Sequence, residues 1–203
     1  MSLVNTPSGN RLHIGIFGKR NSGKSSLLNA ITGQEIALVS EVKGTTTDPV
    51  SKAMEIHPIG PCLLIDTAGF DDTGDLGNMR IEKTKAVLDK TDVAVVVFSD
   101  MQMELETQWI AMLRQRKIPI LAVVNQVDRI EQVQEIKRQI EQRFSLTPLL
   151  VSAKEKTGIS QMKHEILRLM PPDFEAQSLT GSLVQPEDVV LLVMPQDKQA
   201  PKG

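Results

Sequence analysis

The 203-residue chain has no tyrosine, one tryptophan and five phenylalanines. A surface that stacks single-stranded bases is built from aromatic rings, so this scarcity argues against that kind of binder. Charge of one sign is also missing, the formal net charge being -2, and nucleic acid is not an expected partner. One cysteine, Cys62, excludes an internal disulfide, and its place in the apolar run Cys62–Asp66 reads as a buried strand position. His13, His57 and His164 are scattered and give no metal-ligand spacing. No apolar run reaches the roughly 18 to 20 residues of a membrane span. The opening MSLVNTPSGN lacks a basic segment followed by an apolar one, as a secretory signal would have. A cytoplasmic protein without a membrane partner is expected.

What is present is alternation. Strand-length apolar runs occur at 12–17, 50–57, 62–66, 92–99, 118–125 and 147–153, with 50–57 and 62–66 forming a hairpin about the Pro58–Pro61 turn. Helical patterns lie at 25–32, 79–90, 104–117, 130–144 and 159–170, the last stopped by Pro171 and Pro172. Strands alternating with helices predict an α/β fold, a mostly parallel six-stranded sheet with helices on both faces. Right-handed crossovers then gather the loops that follow the strands at one rim, where ligands bind. Residues 1–172 read as one domain. Residues 173–203 read as a linker and a strand, Val189–Pro195, opening a following domain absent from this chain. The other reading adds that strand to the main sheet.

The segment Gly18–Ser25, GKRNSGKS, fits the phosphate-binding loop pattern between a strand and a helix. Gly18 and Gly23 let the backbone approach a phosphate, Asn21 and Ser22 of the same loop are further nucleotide-binding candidates, and the new helix adds its positive end. Lys24 is placed for the β- and γ-phosphates, Ser25 for magnesium and Ser26 for the α-phosphate. Asp66 closes a buried strand in LIDTAG, where a carboxylate can hold magnesium through water, and Gly69 can offer its amide to a γ-phosphate. In Asn125–Asp128, NQVD, Asp128 can accept two hydrogen bonds from guanine that adenine cannot give. Ser152, Ala153 and Lys154 follow the next strand, with the Ala153 amide available to the base carbonyl. In this order the motifs specify a GTP- and GDP-binding P-loop domain, with Lys24 and Gly69 among its catalytic candidates.

At these residues the chain resembles the Ras-like GTPases, and within them the TrmE–Era–EngA group. That resemblance aligns GTTTDP, Gly44–Pro49, with a switch loop. It implies that Thr45 and Thr46 contact the nucleotide, with Thr46 binding magnesium and acting in catalysis, and that Thr47 replaces an arginine. It also implies that Asn21 is a ligand for potassium, with backbone carbonyls near Ser40 and Val42 completing the shell. The alternative is that Asn21 only tolerates a tight backbone. Two departures stand out. Gln126 occupies the place of a lysine that stacks on guanine and braces the phosphate loop, and it brings no charge. Phe70 stands where Ras-type enzymes carry a water-orienting glutamine, so slow intrinsic hydrolysis is expected.

A closer resemblance rests on GTTTDPVSKAMEI, on DDTGDLG with RIEKT, and on the ending VVLLVMPQDKQAPKG. These stretches are similar to the N-terminal GTPase domain of the HydF family, the maturation GTPases of FeFe-hydrogenases. The resemblance implies a nucleotide switch in assembly of the hydrogenase cofactor. It further implies, through the full-length protein, a homodimer and partnership with other maturation proteins and the hydrogenase apoprotein. The family's iron–sulfur ligands lie beyond this chain, so no cluster is expected here. Two other functions stay open: a nucleotide-gated interaction module with little turnover, and an RNA or ribosome-assembly GTPase.

Overall fold

The computed structural model describes residues 11–33, 51–66, 85–171 and 174. Strands β1 (Leu12–Gly18), β2 (Ser51–Ile56), β3 (Gly60–Asp66), β4 (Val93–Phe98), β5 (Ile120–Val124) and β6 (Leu149–Leu150) form one sheet. Helices α1 (Lys24–Thr32), α2 (Glu104–Gln115), α3 (Val133–Phe144) and α4 (Ile159–Arg168) connect or follow them. The strand order is β2-β3-β1-β4-β5-β6. Only β2 runs antiparallel, as the hairpin partner of β3. The sequence-predicted fold is the observed one. Of the helix expected over 79–90, residues 85–90 are described, and 85–88 are helical while 89–90 form a turn.

Side chains alternate across the sheet with the two-residue period of a strand. Leu12, Ile14 and Ile16 of β1, with Val93, Val95 and Val97 of β4, pack on one face with Leu27, Leu28 and Ile31 of α1 and Met162 and Ile166 of α4. Phe17, Val96, Phe98 and Val124 point the other way and meet Trp109 and Leu113 of α2 and Ile136, Ile140 and Phe144 of α3. All six β4 residues are buried, which is why this segment reads as an unbroken apolar run rather than an alternating one. Cys62 is fully buried on β3, and its thiol donates to Gly60 O at 3.3 Å. Burial pushes that thiol up to about 12, with the Glu55 charge adding to the effect.

Two elements are shorter than their sequence patterns. The expected strand 147–153 pairs as a strand only at Leu149–Leu150, because Ser152 turns away to bridge Thr157. The expected helix from 130 begins at Val133, because the amides of Arg129 and Ile130 both donate to Gln126 O and close a separate turn. Both departures lie at the rim where loops leave the parallel strands, and both concern segments that carry candidate site residues.

Candidate nucleotide site

Strand β1 is central, between β3 and β4, and ends at Gly18 opposite Val97. A Cβ on Gly18 would stand 2.7 Å from Ser22 Oγ and 3.0 Å from Val97 Cβ, so only glycine lets the chain turn so closely. The loop then passes through two left-handed residues, Asn21 (φ 63) and Gly23 (φ 83). Gly23 is the N-cap of α1, and a Cβ there would lie 2.4 Å from Asn125 Nδ2. The first-turn N–H groups of α1 have no partner within the helix, so an anion-binding end is presented where β1 stops.

Lys24 is buried, and its ammonium donates to Gly18 O and, at 2.7 Å, to Lys19 O. Its positive charge is therefore held over the loop rather than released to solvent. Ser25 and Ser26 are exposed on the first turn of α1. Asp66 ends β3 in register with Ile16 of the adjoining β1. The Ser25 hydroxyl is a hard oxygen donor of the kind that suits magnesium, and the Asp66 side chain lies outside what is described.

The base side is built from the end of β5 and the turn after β6. The buried Asn125 side chain spans both: its Nδ2 donates to Ser22 O at 3.0 Å and Gly23 O at 3.4 Å, and its Oδ1 accepts from Ala153 N at 3.2 Å. Gln126, also left-handed (φ 63), donates from Nε2 to Asn21 O at 2.9 Å. Two side-chain amides thus hold three consecutive carbonyls of the phosphate loop. The brace expected of a lysine at position 126 is made here by an uncharged amide.

Asp128 is exposed, and Ser152 Oγ donates to its Oδ1 at 2.6 Å while accepting from Glu155 N at 3.1 Å. This hydroxyl holds the Asp128 carboxyl below the usual carboxylate range, with Lys154 and Arg129 contributing smaller attractions. The Ala153 amide is occupied by Asn125, so its expected contact with a base carbonyl would have to be shared. Lys154 is exposed, 3.7 Å from Glu155.

The structure therefore brings Gly18, Asn21, Ser22, Gly23, Lys24, Asn125, Gln126 and Ala153 into one hydrogen-bonded unit, with Asp128 and Ser152 paired beside it. Ser25 and Ser26 flank the unit. The expectations for Thr45, Thr46 and Gly69 lie outside the described residues. So do those for Ser40, Val42, Thr47 and Phe70, and for the segment 173–203 apart from Phe174.

Sequence reasoning missed one set of contacts here. Lys19, inside the loop, donates to Asp100 Oδ1 at 2.8 Å and to Gln102 O, and lies 3.9 Å from Glu106 Oε2. The available signal was Glu106 itself, an acid sharing the buried stripe of α2 with Trp109, Ile110 and Leu113.

A phosphate loop at the end of β1, braced by a base loop from β5, defines a P-loop nucleotide-binding domain. Residues 13–126 match the family described as 50S ribosome-binding GTPase, and the chain belongs to that GTPase family. It is 33% identical over 172 residues to GTPase Der of Wolinella succinogenes, covering 78% of this chain and 36% of that protein. It is 32% identical over 190 residues to the tRNA modification GTPase MnmE of Flavobacterium johnsoniae, covering 89% of this chain and 39% of that protein. The structure of Era in complex with MgGDPNP and a 16S ribosomal RNA segment superimposes with a TM-score of 0.64 at 25% identity, covering 78% of this chain and 56% of that one. The chain spans less than two fifths of the length of these two curated relatives.

Proposed function

We propose that the chain is the GTP-hydrolysing switch of a longer protein that takes part in FeFe-hydrogenase cofactor assembly, and that a monovalent cation stimulates it. The observation that carries the cation reading is Asn21. It is exposed, and its left-handed backbone is held by the Gln126 amide, so its side chain has a fixed origin beside the phosphate loop. A cation at that place would add positive charge between the β- and γ-phosphates as negative charge develops there. Lys24 would bind the same phosphates, Ser25, Thr46 and Asp66 would hold magnesium, and Asp128 with Ser152 would select guanine. Water attack on the γ-phosphate is the reaction, with Gly69 offering an amide to the γ-phosphate. Phe70 cannot orient that water, which leaves more of the barrier to the cation.

GTP turnover by the 203-residue chain in potassium and in sodium tests the cation. A rate several-fold higher in potassium, lost in Asn21→Ala, is expected. Equal rates in both salts would remove the cation, and equal, negligible rates with GTP still bound would favour an interaction module with little turnover. The assembly role rests on the sequence likeness to HydF described above. It predicts that Lys24→Ala in the full-length protein leaves hydrogenase inactive in cells that make it, whereas normal hydrogenase activity would refute it. The names of the relatives fit one competing reading, an RNA-linked GTPase, only loosely. That reading requires salt-dependent RNA binding by this chain despite its net charge of -2.

A further inference from the structure

We propose that Lys19 is a positioning residue, which fastens the first half of the phosphate loop to the start of helix α2, by hydrogen bonds to Asp100 and Gln102 just before it and by the charge of Glu106 within it, and so sets nucleotide affinity without touching the nucleotide. Lys19 directly follows Gly18, the last residue of β1. Its ammonium is gathered by three oxygens from one short stretch, Asp100 Oδ1 at 2.8 Å, Gln102 O, and Glu106 Oε2 at 3.9 Å. Asp100 also accepts from Gln102 N at 2.8 Å, so the connection before α2 is folded around the same carboxylate that holds the lysine.

Glu106 is 1% exposed and sits in the first turn of α2. A buried acid is tolerated where a cation accompanies it, and Lys19 is within ion-pair reach. Lys19 O is in turn an acceptor for the Lys24 ammonium and for Ser22 N. Side chain and carbonyl of one residue therefore tie α2, the lysine expected at the phosphates and the middle of the loop together. The amides of Asn125 and Gln126 hold the second half of the loop, at Asn21, Ser22 and Gly23. Lys19 is its counterpart on the first half. Without it, the first half would keep only the β1 ladder at Gly18 and the bonds from within the loop, and binding phosphate would require more ordering there.

The test is a double-mutant cycle in the 203-residue chain, reading GDP affinity by titration calorimetry, with amide hydrogen exchange as the second readout. Lys19→Met is expected to weaken GDP about tenfold or more, Glu106→Gln by less, and the double variant no further than Lys19→Met. Lys19→Arg should stay within a few-fold of the parent. GDP should slow exchange at residues 104–107 in the parent and not in Lys19→Met, a response that a purely structural lysine would not produce. Should Lys19→Met fail to fold, the double variant, which buries no lone charge, replaces it. A folded Lys19→Met that binds GDP like the parent overturns the proposal. So do fully additive losses, or undiminished GDP protection at 104–107.

Discussion

Strands β1 and β4 are tied at both ends, and the two ties are made of different things. At the entry end, Asp92 N donates to His13 O, His13 N donates to the Asp92 carboxylate at 2.8 Å, and the His13 ring lies 2.9 Å from the same oxygen. Thr91 beside it donates to Val87 O and occupies the space a Cβ on Gly15 would need. Apart from Val87, which lies in the helical stretch 85–88, each group there belongs to a strand or to the segment just before one. At the exit end the ties run between loops, from Lys19 to Asp100 and from Asn125 and Gln126 to the phosphate loop. Similar hydrogen bonds thus do two jobs. Where they join strands they add stability, and where they join loops they fix the shape of a site, because a loop has no ladder of its own to hold it.

Removing a group at the exit end should cost binding, and removing one at the entry end should cost folding. The largest effect is expected for Lys24→Ala, a loss of about two orders of magnitude in GDP affinity from a deleted charge-assisted contact. Thermal unfolding without nucleotide should move little by comparison. Next comes Asp92→Ala, which leaves His13 N without its acceptor and should lower unfolding free energy by about 1–2 kcal/mol in urea titrations. Its GDP affinity should match the parent, and a tenfold loss there would break the division of labour.

Ser152→Ala gives a smaller, pH-dependent effect. Asp128 has a depressed pKa in the folded chain, so its ionised form is retained until the pH falls through that lowered value. Without the Ser152 hydroxyl the value rises toward the ordinary range, and GDP affinity measured against pH should begin its acid decline at a higher pH. The smallest effect belongs to Ser22→Ala. Ser22 Oγ is buried with no hydrogen-bond partner among the described residues, so its removal should leave stability unchanged or raise it by about 1 kcal/mol. A drop of that size instead would show that the hydroxyl is used.

The candidate phosphate and base motifs were legible as local patterns because the residues of each lie close together in the chain. Gly18 and Gly23 announce a turn, Lys24 a charge, and Asn125 to Asp128 a short constellation after an apolar strand. What holds these pieces against each other was not legible. Nothing in the spacing of Lys19 and Glu106, or of Gln126 and Asn21, says that they meet, since they meet only after β1, β4 and β5 lie side by side. Gln126 illustrates this in reverse. Sequence comparison marked it as a missing charge, whereas its geometry shows the amide making the bond that the brace requires. Strand β6 ended early for a similar reason, because Ser152 is drawn from the ladder toward Asp128 and Thr157.

Cys62 turns its own inertness into a clock. A thiol that is buried and held protonated cannot be alkylated until the hairpin edge of the sheet opens. The rate at which a thiol reagent in excess labels this chain therefore counts those openings. Adding GDP divides them into two kinds. Openings that release the nucleotide slow in proportion to its concentration, and openings that only peel β2 and β3 from β1 do not.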